Sequence, residues 1–229
     1  MSTTVAVKLF ILVILLFVVN AWTQDYTWPT NLGKHLSSNF GEFRTTGYHQ
    51  GLDIKTNGSI GHPVFAVSDG YISRIVSNFS GFGRALYLTL DDDQTAVYGH
   101  LSKFTPRLED RLIEQQEKNQ SYISNIFLSP GEFIFKKGDI IAYSGNTGFS
   151  FGPHLHFEIR NKKGQTLNPL TSGLTQADRL APLVDEISFT PINDESWING
   201  NQLPQNFPVF RDKKGEYHFP DTINIYGKL

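Results

Sequence analysis

The sequence predicts a mainly β, antiparallel domain with one inserted helix and a β-rich C-terminal appendage. Three observations point there. Gly (20) and Pro (11) are abundant against a single Met, and 13% of residues are aromatic, which suits a turn-rich β protein better than a helical bundle. Residues 52–100 alternate short β-branched and aromatic runs with tight turns. His154–Arg160 alternates polar and apolar residues strictly, the period of a strand with one buried face.

At the N-terminus, Lys8 precedes Leu9–Val19, an unbroken apolar run, and Val19-Asn20-Ala21 closes it with a small residue. A membrane-spanning helix needs roughly 20 apolar residues. A shorter run after a positive charge reads as a secretory signal, so residues 1–21 are expected to be a signal peptide and the mature chain extracytoplasmic. The other reading is an uncleaved anchor that also uses Val5–Val7.

Residues 22–172 are expected to form the main domain. Residues 26–48 look irregular, with Pro29, Gly33, Gly41 and Gly47. Strands are expected at Val64–Val67, Tyr71–Val76, Ala85–Leu90 and Thr95–His100, separated by Asp69-Gly70, Ser80–Gly83 and Asp91–Asp93. An insertion at about 105–128 breaks the rhythm. Thr105-Pro106 is a good helix start, with Glu109 and Asp110 in the first turn. Its apolar stripe is thin, so the helix is expected to be largely solvated, beside the core. Strands resume at Lys137–Gly145 and His154–Arg160, joined by the Gly-rich loop Gly145–Pro153. Past Pro169 the texture changes. Residues 173–229 hold short strand-like pieces (Glu186–Thr190, Val209–Arg211, Glu216–Phe219, Ile223–Tyr226) between prolines, an appendage or a partial second module.

Composition also excludes. Net charge is −2, with no basic run beyond paired lysines, so the electrostatic footprint of a nucleic-acid binder is missing. There is no cysteine, hence no disulfide, thiolate ligand, Cys nucleophile or Cys-linked lipid. Any transition-metal site must use His and carboxylates.

Three short motifs stand out. On a strand, His154, His156, Glu158 and Arg160 share one face, while Leu155, Phe157 and Ile159 face the core. The two imidazoles then lie roughly 7 Å apart at their Cα atoms, close enough to serve one site. His49 and Asp53 would be about 13 Å apart on a straight strand. Zinc holds N and O ligands at roughly 2 Å, so the chain must bend between them, and Gly51 permits that. His100 ends a strand in Tyr98-Gly99-His100-Leu101, where sites tend to be. His35, His62 and His218 receive no role.

Together these segments resemble the lysostaphin/LytM-type zinc metallopeptidases. The resemblance rests on His49-x-x-x-Asp53, then Tyr98–Leu101, then Gly145–Glu158 with its Gly-Pro-His-x-His-Phe-Glu run. Gly61–Ala66 with Asp69-Gly70, and Lys137–Asp139 before Ile140–Gly145, support it. It covers roughly residues 39–170. It implies an antiparallel peptidase domain with an open groove and one Zn2+ per chain, held by His49, Asp53 and His156. His100 and His154 would be the catalytic histidines that handle protons. Which of His154 and His156 binds metal is not decided by the strand face; the resemblance assigns it. Two His and one carboxylate leave the fourth tetrahedral position for water, the mark of a catalytic zinc. The implied substrate is the peptide part of peptidoglycan, at stem or cross-bridge bonds.

Relatives often carry a Tyr upstream of the first metal His. Here Tyr48 and Arg44 are nearby and Phe43 cannot donate, so that role stays open. A second reading is a non-catalytic, cell-wall-binding or amidase-regulating member of the same fold. A third is an amidase cutting the sugar–peptide linkage.

Overall fold

The computed structural model describes residues 26–44, 47–174 and 183–229. The expected signal peptide lies outside them. Among the described residues no helix is long and apolar enough to cross a membrane. The chain divides into two compact units, Met1–Gln176 and Ala177–Leu229.

The first unit begins with β1 (Leu36–Ser38), β2 (Phe43–Arg44), β3 (Gly47–Tyr48) and β4 (Leu52–Lys55). Next come β5 (Pro63–Phe65), β6 (Gly70–Ser77), β7 (Ala85–Leu90), β8 (Thr95–Gly99) and β9 (Lys103–Phe104). After α1 (Pro106–Asn119) follow β10 (Ser124–Phe127), β11 (Ile134–Phe135), β12 (Ile140–Tyr143), β13 (His154–Arg160) and β14 (Thr166–Leu167). The main sheet is antiparallel in the order β1-β4-β13-β8-β7-β6-β10, with β11 also on β6 and β14 on β13. A smaller sheet has the order β5-β12-β9.

Alternation along these strands builds the core. Leu52 and Ile54 of β4, Leu86 and Leu88 of β7, and Leu155, Phe157 and Ile159 of β13 are fully buried. They join Val64, Ala142 and Phe104 of the smaller sheet in one cluster. Burying such side chains stabilises by about 1.5–3 kcal/mol each. Because one face of β13 faces this cluster, the other face is fixed for polar work.

The helix corrects an expectation. Leu108 and Leu112 are fully buried and belong to the core cluster, so α1 packs into the core along two residues. Ile113 stays exposed. Thr105 sits at the N-cap, but its hydroxyl makes no cap bond. Glu109, in the first turn as expected, takes two 2.6 Å bonds from Arg84 and one from the Phe104 amide. Later in the insertion, β10 pairs with β6 at the sheet edge.

The second unit holds β15 (Glu186–Phe189), β16 (Trp197–Ile198), β17 (Gln205–Pro208), β18 (Phe210–Arg211), β19 (Tyr217–His218) and β20 (Ile225–Tyr226). They form antiparallel pairs β15–β17, β16–β20 and β18–β19. Phe189, Phe207 and Phe219 pack ring against ring. The sequence reading missed β17, whose Pro208 ends the pairing.

Candidate metal centre and groove

Strands β4 and β13 pair so that His156 lies opposite Asp53 and His154 opposite Lys55. His49 reaches the same place from the loop before β4. Gly51 makes this possible, although not through an unusual backbone angle. A Cβ there would lie 2.4 Å from the Phe157 carbonyl oxygen and 3.0 Å from His156 Nε2, so the loop can lie against β13 only without a side chain.

The result is a tight triangle. His49 Nε2 lies 3.1 Å from Asp53 Oδ1, His156 Nδ1 lies 2.9 Å from the same oxygen, and the two nitrogens are 3.2 Å apart. All three residues are buried. A tetrahedral ion with ligands at about 2.0–2.1 Å would hold its donor atoms roughly 3.3–3.4 Å apart. The residues therefore fit a zinc ion.

The protons settle what these atoms can do. His49 Nδ1–H donates to the Asn39 carbonyl at 2.7 Å, and His156 Nε2–H donates to the Glu158 carboxylate at 3.0 Å. A carbonyl or carboxylate can only accept, so in each neutral ring the other nitrogen carries a lone pair. Those lone pairs meet at Asp53 Oδ1, which is also an acceptor. Three acceptors about 3 Å apart repel unless a proton or a metal cation lies among them. The pull for positive charge is visible in the titration of the group. Burial lowers the His156 pKa, but hydrogen bonds to Asp53 and Glu158 outweigh it and raise the value. Burial raises the Asp53 pKa, but hydrogen bonding to His154, His156 and His49 holds the carboxyl well below the usual carboxylate range. Arg44 occupies its other oxygen, Nη2 donating to Oδ2 at 2.6 Å.

Two more histidines border the triangle. His154 Nε2 is 3.4 Å from Asp53 Oδ1, but its side chain is more exposed than that of His156, 16% against 6%. His154 Nδ1–H donates to the Gly152 carbonyl at 2.8 Å, leaving Nε2 as the base. His100 Nδ1–H donates to the Thr147 carbonyl at 2.8 Å, again leaving Nε2 open. Burial pushes the His100 pKa down to about 4, so the ring is neutral at pH 7. The two rings lie 4.6 Å apart. His100 itself adopts a left-handed backbone (φ 58°), rare for a residue with a side chain, where β8 ends. Its amide donates to the Phe82 carbonyl, and the Phe82 ring stacks on His156 at 4.9 Å.

All five residues singled out in the sequence thus converge. Sequence reasoning gave no role to Glu158, Asn39, Thr147, Gly152 or Phe82. Only Glu158 left a signal, by sharing the polar face of β13. The triangle opens onto a groove of about 930 Å³, lined by Arg44, Lys55, Phe149, Phe151, His100 and His154 among others. No α1 residue lines it, so the insertion does not form a wall of the cleft as its length allowed.

Residues 113–169, which contain His154 and His156, match Peptidase family M23. The chain is 35% identical over 143 residues to an uncharacterized metalloprotease of Haemophilus influenzae, covering 59% of this chain and 25% of that protein. It is 33% identical over 138 residues to the DD-carboxypeptidase/endopeptidase Mpg of Neisseria meningitidis, covering 58% and 26%. The chain spans about a quarter of the length of these relatives. The catalytic domain of the antimicrobial peptidase lysostaphin from Staphylococcus simulans aligns with a TM-score of 0.44 and 26% identity, over 60% of this chain and 90% of that one.

Proposed function

We propose that this protein is an extracytoplasmic, zinc-dependent endopeptidase that hydrolyses peptide bonds in peptidoglycan stem peptides or cross-bridges. The observation that carries the reading is the convergence of His49 Nε2, Asp53 Oδ1 and His156 Nδ1, each held as an acceptor by a partner on its far side. These three residues would hold the ion. Bound there, zinc would supply Lewis-acid polarisation of the scissile carbonyl and make water acidic enough to react near neutral pH.

The chain's own residues do the remainder. His154 and His100 each donate Nδ1–H to a backbone carbonyl, so Nε2 of a neutral ring can take the proton of the attacking water, and the imidazolium so formed can deliver that proton to the leaving amine nitrogen. The product is a carboxylate and a free amine. The sheet groove suits an extended peptide lying along it. The activities that name the Neisseria relative, DD-carboxypeptidase and endopeptidase, support a peptidoglycan substrate. The domain would run over 22–172 after removal of 1–21, with 173–229 contributing no catalytic residue.

The test is incubation of zinc-loaded protein with purified peptidoglycan, with mass analysis of released fragments. New amine and carboxyl ends at peptide bonds are expected. Release of intact peptides from sugar would make it an amidase, and no release at all would favour the non-catalytic reading.

A further inference from the structure

Beside the triangle, the groove carries a second cation, Lys55. Strand β4 alternates: Leu52 and Ile54 enter the core, while Asp53 and Lys55 take the opposite face. Lys55 pairs in register with His154, is exposed, and lines the same groove. Its backbone is fixed, because its amide donates to the His35 carbonyl at 2.9 Å. Its ammonium makes no ion pair with any described residue. The other groove cation, Arg44, is committed to Asp53 Oδ2 and the Ser38 hydroxyl. A residue two positions from Asp53 lies about 7 Å along the strand, the length of two residues of an extended peptide.

Resting on the hydrolase reading above, we infer that Lys55 is a specificity-determining residue that binds a free carboxylate of the substrate within two residues of the scissile bond. The aromatic part of the groove agrees with an occupant of mixed character. Phe149 and Phe151 stand exposed, edge to face at 5.3 Å, on the loop before His154. Between them Ser150 turns away, its hydroxyl donating to Asn146 Oδ1 or the Gly152 carbonyl. The occupant is thus a peptide with an apolar side toward the phenylalanines and an anionic group toward Lys55. A carboxylate can come from a side chain, as in an acidic cross-link residue, or from the chain terminus. The first favours endopeptidase action and the second carboxypeptidase action.

The experiment uses zinc-loaded full-length wild type, Lys55→Met and Lys55→Glu. The probes are cross-linked stem-peptide dimers in three forms: all carboxylates free, side-chain carboxylates amidated, or the terminal carboxylate amidated. In the wild type, amidation of one class should lower kcat/KM roughly tenfold, mainly through KM, as expected for one charge-assisted contact. The class that matters identifies the source. In Lys55→Met that ratio should fall to near one, and Lys55→Glu should prefer the amidated form. Added salt should shrink the wild-type ratio. An equal ratio in wild type and Lys55→Met would overturn the assignment. If the wild type hydrolyses no dimer, the hydrolase reading falls, and calorimetric binding of the same peptides decides the Lys55 assignment by the same ratio.

Discussion

Glu158 stands behind His156 as a fully buried carboxylate, accepting the Nε2 proton of that ring at 3.0 Å while Arg160 holds its other oxygen. In the neutral ring this arrangement puts the lone pair on Nδ1, aimed at Asp53. Glu158→Gln keeps the shape but can also present an amide N–H to the ring. Zinc affinity should fall about 10–100-fold, as for other partners of metal-bound histidines. Competition with a zinc indicator dye measures it, and unchanged affinity would count against a positioning role.

Ligands and proton-handling groups should separate. His156→Ala and His49→Ala should lose bound zinc and turnover together. His154→Ala and His100→Ala should keep near-stoichiometric zinc at excess metal yet lose about 10²–10⁴ in rate. Zinc per chain, measured beside the rate of peptidoglycan solubilisation, checks this. If His154→Ala lost zinc while His156→Ala kept it, the two assignments would be exchanged.

Crowded acceptors make the protein sensitive to chelation. At a free zinc concentration 100 times Kd, binding should stabilise the fold by about 2.7 kcal/mol. A chelator should therefore lower the wild-type Tm and leave that of His156→Ala nearly unmoved. Equal shifts in both would place the metal elsewhere.

The helix offers a stability contrast within one turn. Leu112→Ala empties a fully buried position and should cost about 2–5 kcal/mol. Ile113→Ala, at an exposed position, should stay within about 0.5 kcal/mol. Urea unfolding of the two variants reads the difference, and similar midpoints would mean that α1 is peripheral.

Removing the second unit should spare the chemistry. A chain ending after Leu174 keeps that buried residue and the Gly173 carbonyl that receives the Tyr26 amide. It should still bind zinc and digest cell wall. A folded truncation that binds no zinc would refute this.

Legibility in the sequence followed the range of the interactions. Strand β13 was readable to its ends, because alternation is local and one face is fully buried. The spacing of His49 and Asp53 required a bend, and the structure has one. The reason for Gly51, however, is close approach to Phe157, a contact across the sheet that no local pattern carries. Helix α1 is largely solvated, as its thin apolar stripe predicts, yet Leu108 and Leu112 suffice to reach the core. Strand β10 was missed because Ser124–Phe127 is short and lies at an edge, with one face exposed. The left-handed turn at His100 was also invisible, since it is imposed by bonds to Phe82 and Thr147.

The loops carrying Phe82 and Thr147 meet backbone to backbone. A Cβ on Gly148 would lie 2.2 Å from the Gly83 nitrogen, and the Phe149 amide donates to the Gly81 carbonyl. Thr147 Oγ1 accepts from the Arg84 amide and donates to the Leu101 carbonyl. Segments more than sixty residues apart in sequence are thus joined into one jamb beside the histidines. A doorway braced by backbone contacts is expected to move little when a peptide enters. The loss of conformational freedom on binding falls on the incoming peptide, so chains already held taut by the wall they belong to should be taken more readily than the same peptides free in solution.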